Sequence, residues 1–515
     1  MTRTTDPHPE LSQDGRSLRR ASLGLAVGGL VFVFCLVLPT PEGMSDAAWR
    51  TAAVALLMAI WWITEAVPVA VTALLPLALF APVGAGSIGE ASAPYANPII
   101  YLFLGGFLLA LAIERWGLHR RIALGILSLV GSRGDRIVGG FLFGTAALSM
   151  WLSNTATSVM MLPIAMSVLG LLEEGDDPSA ADDASDGQRR RNGDLPRAVL
   201  LGLAYGASIG GIATLVGTPP NAMLAGFLSE TYGVELGFGR WMMFGLPLSL
   251  LMQVAAWLLL TKVCLRVGHE VPGAAERIRQ ERRQLGGWST GERRIAWVFG
   301  LTASAWILRP QLQRIFGIDL SDTGIAMIAS IVLFLVPVER HGAKVQFLMS
   351  WRRAERVPWG VLLLFGGGLS LADRINATGL GAWIGERLVD FGSLPIWVLL
   401  LVVIATVVFL TELTSNAATT ATFLPVLAAV AISVGESPML FAIPAAVGAS
   451  CAFMMPVATP PNAIVYGSGR ITIPEMSRVG LWLNLLAIVL ILGFSFVLMG
   501  LAFGVEIGVL PAWAR

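Results

Sequence analysis

Apolar residues in this chain come in long blocks. Leu23 to Leu38, Trp241 to Leu260 and Trp482 to Phe503 are almost free of charge, and roughly 20 such residues span a bilayer's hydrocarbon core as a helix. The pattern predicts an all-α polytopic membrane protein of about eleven spanning helices. One tract, roughly 137–172, does not fit a simple crossing. At about 36 residues it would extend about 54 Å as one helix, too long for one upright crossing and short for two. In its middle stand three consecutive polar side chains, Ser153, Asn154 and Thr155.

The distribution of Lys and Arg sharpens this. Basic connections lie at the N-terminus and at 115–136, 189–197, 262–294, 340–356 and 470–478, whereas 40–48, 81–98, 231–239 and 435–439 are nearly free of Lys and Arg. Short basic loops stay cytoplasmic, so the alternation predicts a cytoplasmic N-terminus and an external C-terminus. The 137–172 tract has basic loops on both sides, and an odd number of crossings would put one of them outside. A re-entrant hairpin removes the conflict and puts Ser153-Asn154-Thr155 at its tip.

The chain then repeats itself. "LFLGGFLLALAIERWGL" (102–118) is echoed by "LLFGGGLSLADRINATGL" (363–380), Ser153-Asn154 by Ser415-Asn416, and "GTPPNAM" (217–223) by "ATPPNAI" (458–464). The first copy of the glycine-rich segment ends at a basic loop and the second begins after one, so the copies run in opposite directions. This is the inverted-repeat pattern of secondary transporters, in which substrate and ions bind where broken helices meet. A second hairpin follows at about 395–434. The polar insertion Glu173 to Asp194 reads as a solvated loop.

Pro219-Pro220 and Pro460-Pro461 each remove two backbone donors and interrupt a helix. Non-helical backbone at membrane depth survives only inside protein or along a cavity. The freed carbonyls, with Thr218, Thr459, Asn221 and Asn462, form hard neutral oxygen sets suited to a cation such as Na⁺. The half-helix N-termini beside them attract anions. Glu412, beside Thr411, is an intramembrane acid and so a candidate for coupling or for structure; Asp373 is expected to pair with Arg374. Only 13% of the residues are charged, the mean hydropathy is +0.72 and the net charge is +1, so no electrostatic case exists for nucleic acid as partner. Cys35, Cys264 and Cys451 show neither metal spacing nor a disulfide framework. His8, His119, His269 and His341 fall in predicted cytoplasmic segments. No nucleophile, metal cluster or paired carboxylate motif argues for an enzyme.

Paired Ser-Asn-Thr and Thr-Pro-Pro-Asn motifs, within a chain running from "WWITEAVP" (61–68) to "PVATPPNAIVYGSG" (456–469), resemble the divalent-anion:sodium symporter family of dicarboxylate and citrate transporters. The resemblance implies an elevator-type transporter working as a homodimer in the bacterial inner membrane, with Na⁺ as coupling ion and no organic cofactor. It implies one sodium site from Ser149, Ser153, Asn154 and the backbone at Gly217, and another from Thr411, Thr414, Asn416 and the backbone at Ala458. A dianionic substrate would meet Ser153, Asn154, Thr155 and Thr218 on one side and Ser415, Asn416, Thr459 and Pro460 on the other. Ala417 stands where the second motif's Thr is expected, which removes a hydroxyl for which Thr419 or Thr420 could substitute.

The expected organisation follows. Residues 1–20 form a cytoplasmic N-terminus, and 21–114 and 293–390 form a scaffold. Residues 115–265 form one transport half, with its hairpin at about 137–172 and its broken helix at about 198–230. Residues 266–292 are a cytoplasmic linker. The other half is 395–505, with its hairpin at about 395–434 and its broken helix at about 440–470. The expected activity is import of a C4-dicarboxylate (succinate, malate or fumarate) by symport with Na⁺. Citrate or sulfate symport and sodium-independent dicarboxylate exchange on the same fold are the alternatives.

Overall fold

Prolines and N-capping hydroxyls decide where the helices of this chain stop and restart. The computed structural model describes residues 15–174, 186–265, 267, 270–271, 273–341, 344–387 and 394–514. Most of the predicted N-terminal segment 1–20, the centre of the polar insertion, His8 and His269 lie outside the described residues. The chain opens with an antiparallel pair, α1 (Gly15–Val37) and α2 (Asp46–Thr64). Their backbones approach closely because Gly24 and Gly28 leave room for Thr64 and Trp61. Helix α3 (Pro98–Trp116) follows.

The 137–172 tract forms two helices, α4 (Gly134–Ser149) and α5 (Asn154–Glu174), joined by only four residues. Ser153 starts α5: its Oγ accepts the Ala156 N–H at 3.3 Å, as an N-cap side chain does. Next come α6 (Asp186–Ile212) and α7 (Pro219–Tyr232). The break between them ends at Thr218, an extended N-cap (φ −145°, ψ 143°). Pro219 at N1 costs nothing there, since that position has no intrahelical N–H bond to lose. Helix α8 (Phe238–Leu258) closes the half.

The second half repeats the plan. After α9 (Asp322–Leu335) and α10 (Trp359–Ala377) come α11 (Ile396–Thr411) and α12 (Asn416–Ser433), again joined by four residues. Helix α13 (Pro438–Ala449) is followed by an irregular stretch and then α14 (Pro460–Tyr466). Thr459 caps α14 at φ −142° and ψ 148°, nearly the Thr218 geometry. Helix α15 (Ile473–Val497) ends the core. Even the interior prolines recur, Pro163 in α5 and Pro425 in α12.

Among the described residues seven helices, α12 among them, are long and apolar enough to cross a membrane, and five shorter apolar ones include α5, α9, α11 and α13. A break such as that between α13 and α14 leaves pieces shorter than a bilayer, which lowers the count below the eleven expected from blocks alone. The chain also departs from an all-α reading in one place. Pro337–His341 and Lys344–Phe347 pair as an antiparallel ribbon. The helix before it ends at the extended C-cap Val336, just ahead of Pro337, and the strands pair in register from Glu339 with Gln346 to His341 with Lys344.

The packing is crosswise. Each two-helix unit lies on its own broken helix, α4 and α5 on α6, α11 and α12 on α13. Each also reaches the other half, α5 packing on α14 and α12 on α7. Helix α10 packs against both α7 and α12. The α4–α6 contact depends on glycine. A Cβ at Gly206 would stand 2.4 Å from the Leu142 carbonyl oxygen, and one at Gly210 would stand 2.4 Å from that of Ala146. Small residues spaced by four are how membrane helices reach backbone contact. Gly210→Val is therefore expected to cost about 1–3 kcal/mol or more by overpacking. The purified variant should unfold at a lower temperature, whereas Gly29→Val, which meets open space, should leave the melting profile unchanged.

Candidate cation and anion site

Breaking α6 and α13 releases backbone carbonyls, and the same side chain takes them up in each half. Asn221 Nδ2 donates to the carbonyls of Gly211 (3.2 Å), Ile212 (3.3 Å) and Thr214 (2.8 Å). Asn462 Nδ2 donates to those of Ala452 (3.1 Å) and Met455 (3.0 Å). Gly211 corresponds to Ala452 and Thr214 to Met455 at the spacing that relates Asn221 to Asn462, so the loops close in the same way. Both amides are fully buried, and Oδ1 of each has no protein partner. The following helix makes room in each half: a Cβ at Gly245 would meet the Ile212 oxygen at 2.7 Å, and one at Gly480 the Phe453 oxygen at 2.2 Å.

The Ser-Asn motifs face these loops. Ser149 Oγ lies 2.7 Å from both Asn154 Oδ1 and the Ala207 carbonyl. In the second half Thr411 Oγ1 lies 2.8 Å from Asn416 Oδ1 and 2.9 Å from the Ala449 carbonyl. A hydroxyl has one hydrogen to donate, so each cluster holds two acceptors competing for it. Three converging oxygens with one proton among them form a donor set of the kind that suits a hard cation. The first cluster continues to the broken loop. A Cβ on Gly211 would touch Asn154 Oδ1 at 2.9 Å and the Gly217 carbonyl oxygen at 3.0 Å. Ser149, Asn154 and Gly217, expected together from sequence, are thus brought together.

Other expected residues sit differently. Ser153 and Thr155 are exposed at the start of α5, with Ser153 Oγ used as a cap. Ser415 caps α12 and is half-buried. Thr414 Oγ1 bonds the Leu410 carbonyl (3.0 Å) and Thr419 Oγ1 (2.6 Å), so it serves the α11–α12 corner. Thr420 donates to the Asn416 carbonyl. Neither Thr419 nor Thr420 is thus a free replacement for the hydroxyl that Ala417 lacks. Thr218 and Thr459 are buried N-caps, and Thr459 Oγ1 has no protein partner. Pro460 is exposed, and Ala458 lies in the turn that Asn462 closes, its N–H on the Met455 carbonyl. Asp373 pairs with Arg374 at 2.9 Å. The Ala207 and Ala449 carbonyls had no signature in the sequence, since backbone oxygens at a helix surface are chemically alike wherever they occur.

This arrangement can now be set beside known proteins. Residues 21–503 match the family described as the sodium:sulfate symporter transmembrane region. The chain belongs to that family. Relatives within reach of it include the sodium-dependent dicarboxylate transporter SdcS of Staphylococcus saprophyticus, 40% identical over 94% of this chain and 92% of the relative. SdcS of Staphylococcus aureus strain USA300 is 38% identical over the same shares. Two solved structures share the fold at low identity. Neisseria gonorrhoeae MtrF, described among antimetabolite efflux pumps, superposes with a TM-score of 0.57 at 12% identity and covers 94% of each chain. The Alcanivorax borkumensis YdaH transporter gives 0.51 at 14% identity, covering 95% of this chain and 98% of its own.

In this sodium:sulfate symporter family member the amides hold the breaks in shape. Asn221→Asp is isosteric but sets an acceptor against three buried carbonyls. It is expected to lower the stability of the purified protein by about 1–3 kcal/mol. Thermal unfolding checks this, and an unchanged midpoint would contradict the amide's role.

Proposed function

We propose that this chain is a secondary transporter that carries a small divalent anion, a C4-dicarboxylate such as succinate, malate or fumarate, inward together with Na⁺. The observation that carries this reading is the matched pair of proton-poor oxygen clusters, Ser149 with Asn154 and Thr411 with Asn416, each set against a broken helix. The family, and relatives named as sodium-dependent dicarboxylate transporters, support it. The motif segments 149–163, 211–223, 411–425 and 450–464 contain no Arg or Lys. A dianion there is held by hydroxyls, amides and helix N-termini, and bound Na⁺ supplies the positive charge beside it. In this scheme Ser153, Thr155 and Ser415, at the accessible starts of α5 and α12, meet the substrate. Asn154 and Asn416 serve ion and substrate together.

In the same reading α4–α5 and α11–α12 are re-entrant hairpins entering from opposite faces. They move with α6–α8 and α13–α15 as one body against the α1–α3 and α9–α10 scaffold of a homodimer, with the N-terminus inside. The second hairpin's corner supports an inward position. Arg20, at the N-terminal end of α1, donates to the Leu413 carbonyl at 3.0 Å and to the Ile63 carbonyl at 2.5 Å. A hairpin entering from outside whose corner meets the cytoplasmic end of α1 has been carried inward.

Proteoliposome uptake of labelled succinate tests the reading. Uptake should fall to background when external Na⁺ is replaced by choline. It should also fall at least about tenfold in Asn154→Ala and Asn416→Ala, each of which strips a ligand from both ion and anion. Uptake indifferent to Na⁺ would overturn symport. Competition by sulfate or citrate stronger than by succinate would reassign the substrate.

A further inference from the structure

The two hairpin motif segments, 149–163 and 411–425, differ in charge at one position. Glu412 follows Thr411 in the second half, and Met150 follows Ser149 in the first. Glu412 is only 3% exposed, far from bulk water. Its Oε1 accepts the N–H groups of Phe453 (2.7 Å) and Met454 (2.9 Å) and the Asn484 amide (2.7 Å). Its Oε2 accepts the Met455 N–H at 3.0 Å. Three consecutive backbone N–H groups aimed at one carboxylate form an anion nest, built here from the stretch that separates α13 from α14.

The rest of the stretch is tied at the same residues. Tyr205 from α6 donates to the Phe453 carbonyl at 3.1 Å, Ser477 donates to that of Met454 at 3.1 Å, and Gly480 admits the Phe453 oxygen against α15. The first half has Met150 at the corresponding position. Its shorter break satisfies itself by turning, Ala213 N–H bonding the Gly210 carbonyl. Thr214 Oγ1 meets the backbone oxygen of Met150 at 2.5 Å, the place where the second half uses a side chain.

We propose that Glu412, held by Asn484, is a positioning residue that makes the second oxygen cluster the tighter of the two Na⁺ sites. It fixes the 453–455 backbone, whose Met455 carbonyl the Asn462 amide holds beside the break that follows Ala449. It also places a full buried negative charge one residue from Thr411, whereas the first cluster has only dipoles. The second site therefore fills at lower Na⁺. This rests on reading both clusters as cation pockets.

The test is a Na⁺ titration of the purified protein without substrate, followed by thermal stabilisation, since an ion that binds only the folded state raises stability with its concentration. Wild type should be stabilised at low Na⁺. Glu412→Gln keeps the shape but removes the charge and sets an amide donor against one of the N–H groups, so the Na⁺ midpoint should rise about tenfold or more. Asn484→Ala should shift it in the same direction by less. Glu412→Asp, which keeps the charge, should recover part of the loss, and Met150→Leu should leave the midpoint unchanged. A Glu412→Gln midpoint within about twofold of wild type overturns the inference while leaving symport intact. Should Glu412→Gln not fold, an unchanged midpoint in Asn484→Ala overturns it equally. A wild type that Na⁺ does not stabilise removes the symport reading and this inference together.

Discussion

A helix interrupted inside hydrocarbon exposes backbone groups that no water can reach, and everything at the centre of this molecule follows from satisfying them. The amides of Asn221 and Asn462 do so, gathering carbonyls that α6 and α13 can no longer bond. Each amide donates inward and leaves its own oxygen bare. The result is a polar, acceptor-rich interior in a protein with little charge. Such an interior is unfavourable unless something positive completes it, and in this reading the transported cation does so.

The crosswise packing brings the two local solutions together. Helix α5 lies on α14 and α12 on α7, so each two-helix unit packs on the broken helix of the opposite half as well as on its own. In the proposed reading a ligand between them is held by both halves. Glycine makes this closeness possible. Gly206 and Gly210 press α6 onto α4, while Gly245 and Gly480 let the flanking helices reach the loop carbonyls.

Much of this was legible in the sequence. Apolar blocks gave membrane helices, and the paired motifs led to the family that residues 21–503 match. Pro219 and Pro460 mark the restarts of α7 and α14, because proline can open a helix but not continue one. Other features were not. The Ala207 and Ala449 carbonyls enter the clusters only through the packing of separate helices, which no residue type announces. Thr414 has a ligand's chemistry, yet it is taken by Leu410 and Thr419 at a tight corner that only the folded backbone defines. Glu412 was visible as an acid in an apolar tract, but its partners lie in three consecutive peptide groups and in Asn484, far along the chain. The ribbon at Pro337–His341 was hidden in a stretch whose basic charge dominated the pattern.

In the proposed reading cation and dianion share one site and each completes the other. Calorimetric titration measures it directly, with succinate affinity taken at trace and saturating Na⁺ and Na⁺ affinity taken with and without succinate. Both affinities should rise, and by the same factor, because coupling between two ligands is reciprocal. A succinate affinity that does not change with Na⁺ would contradict it.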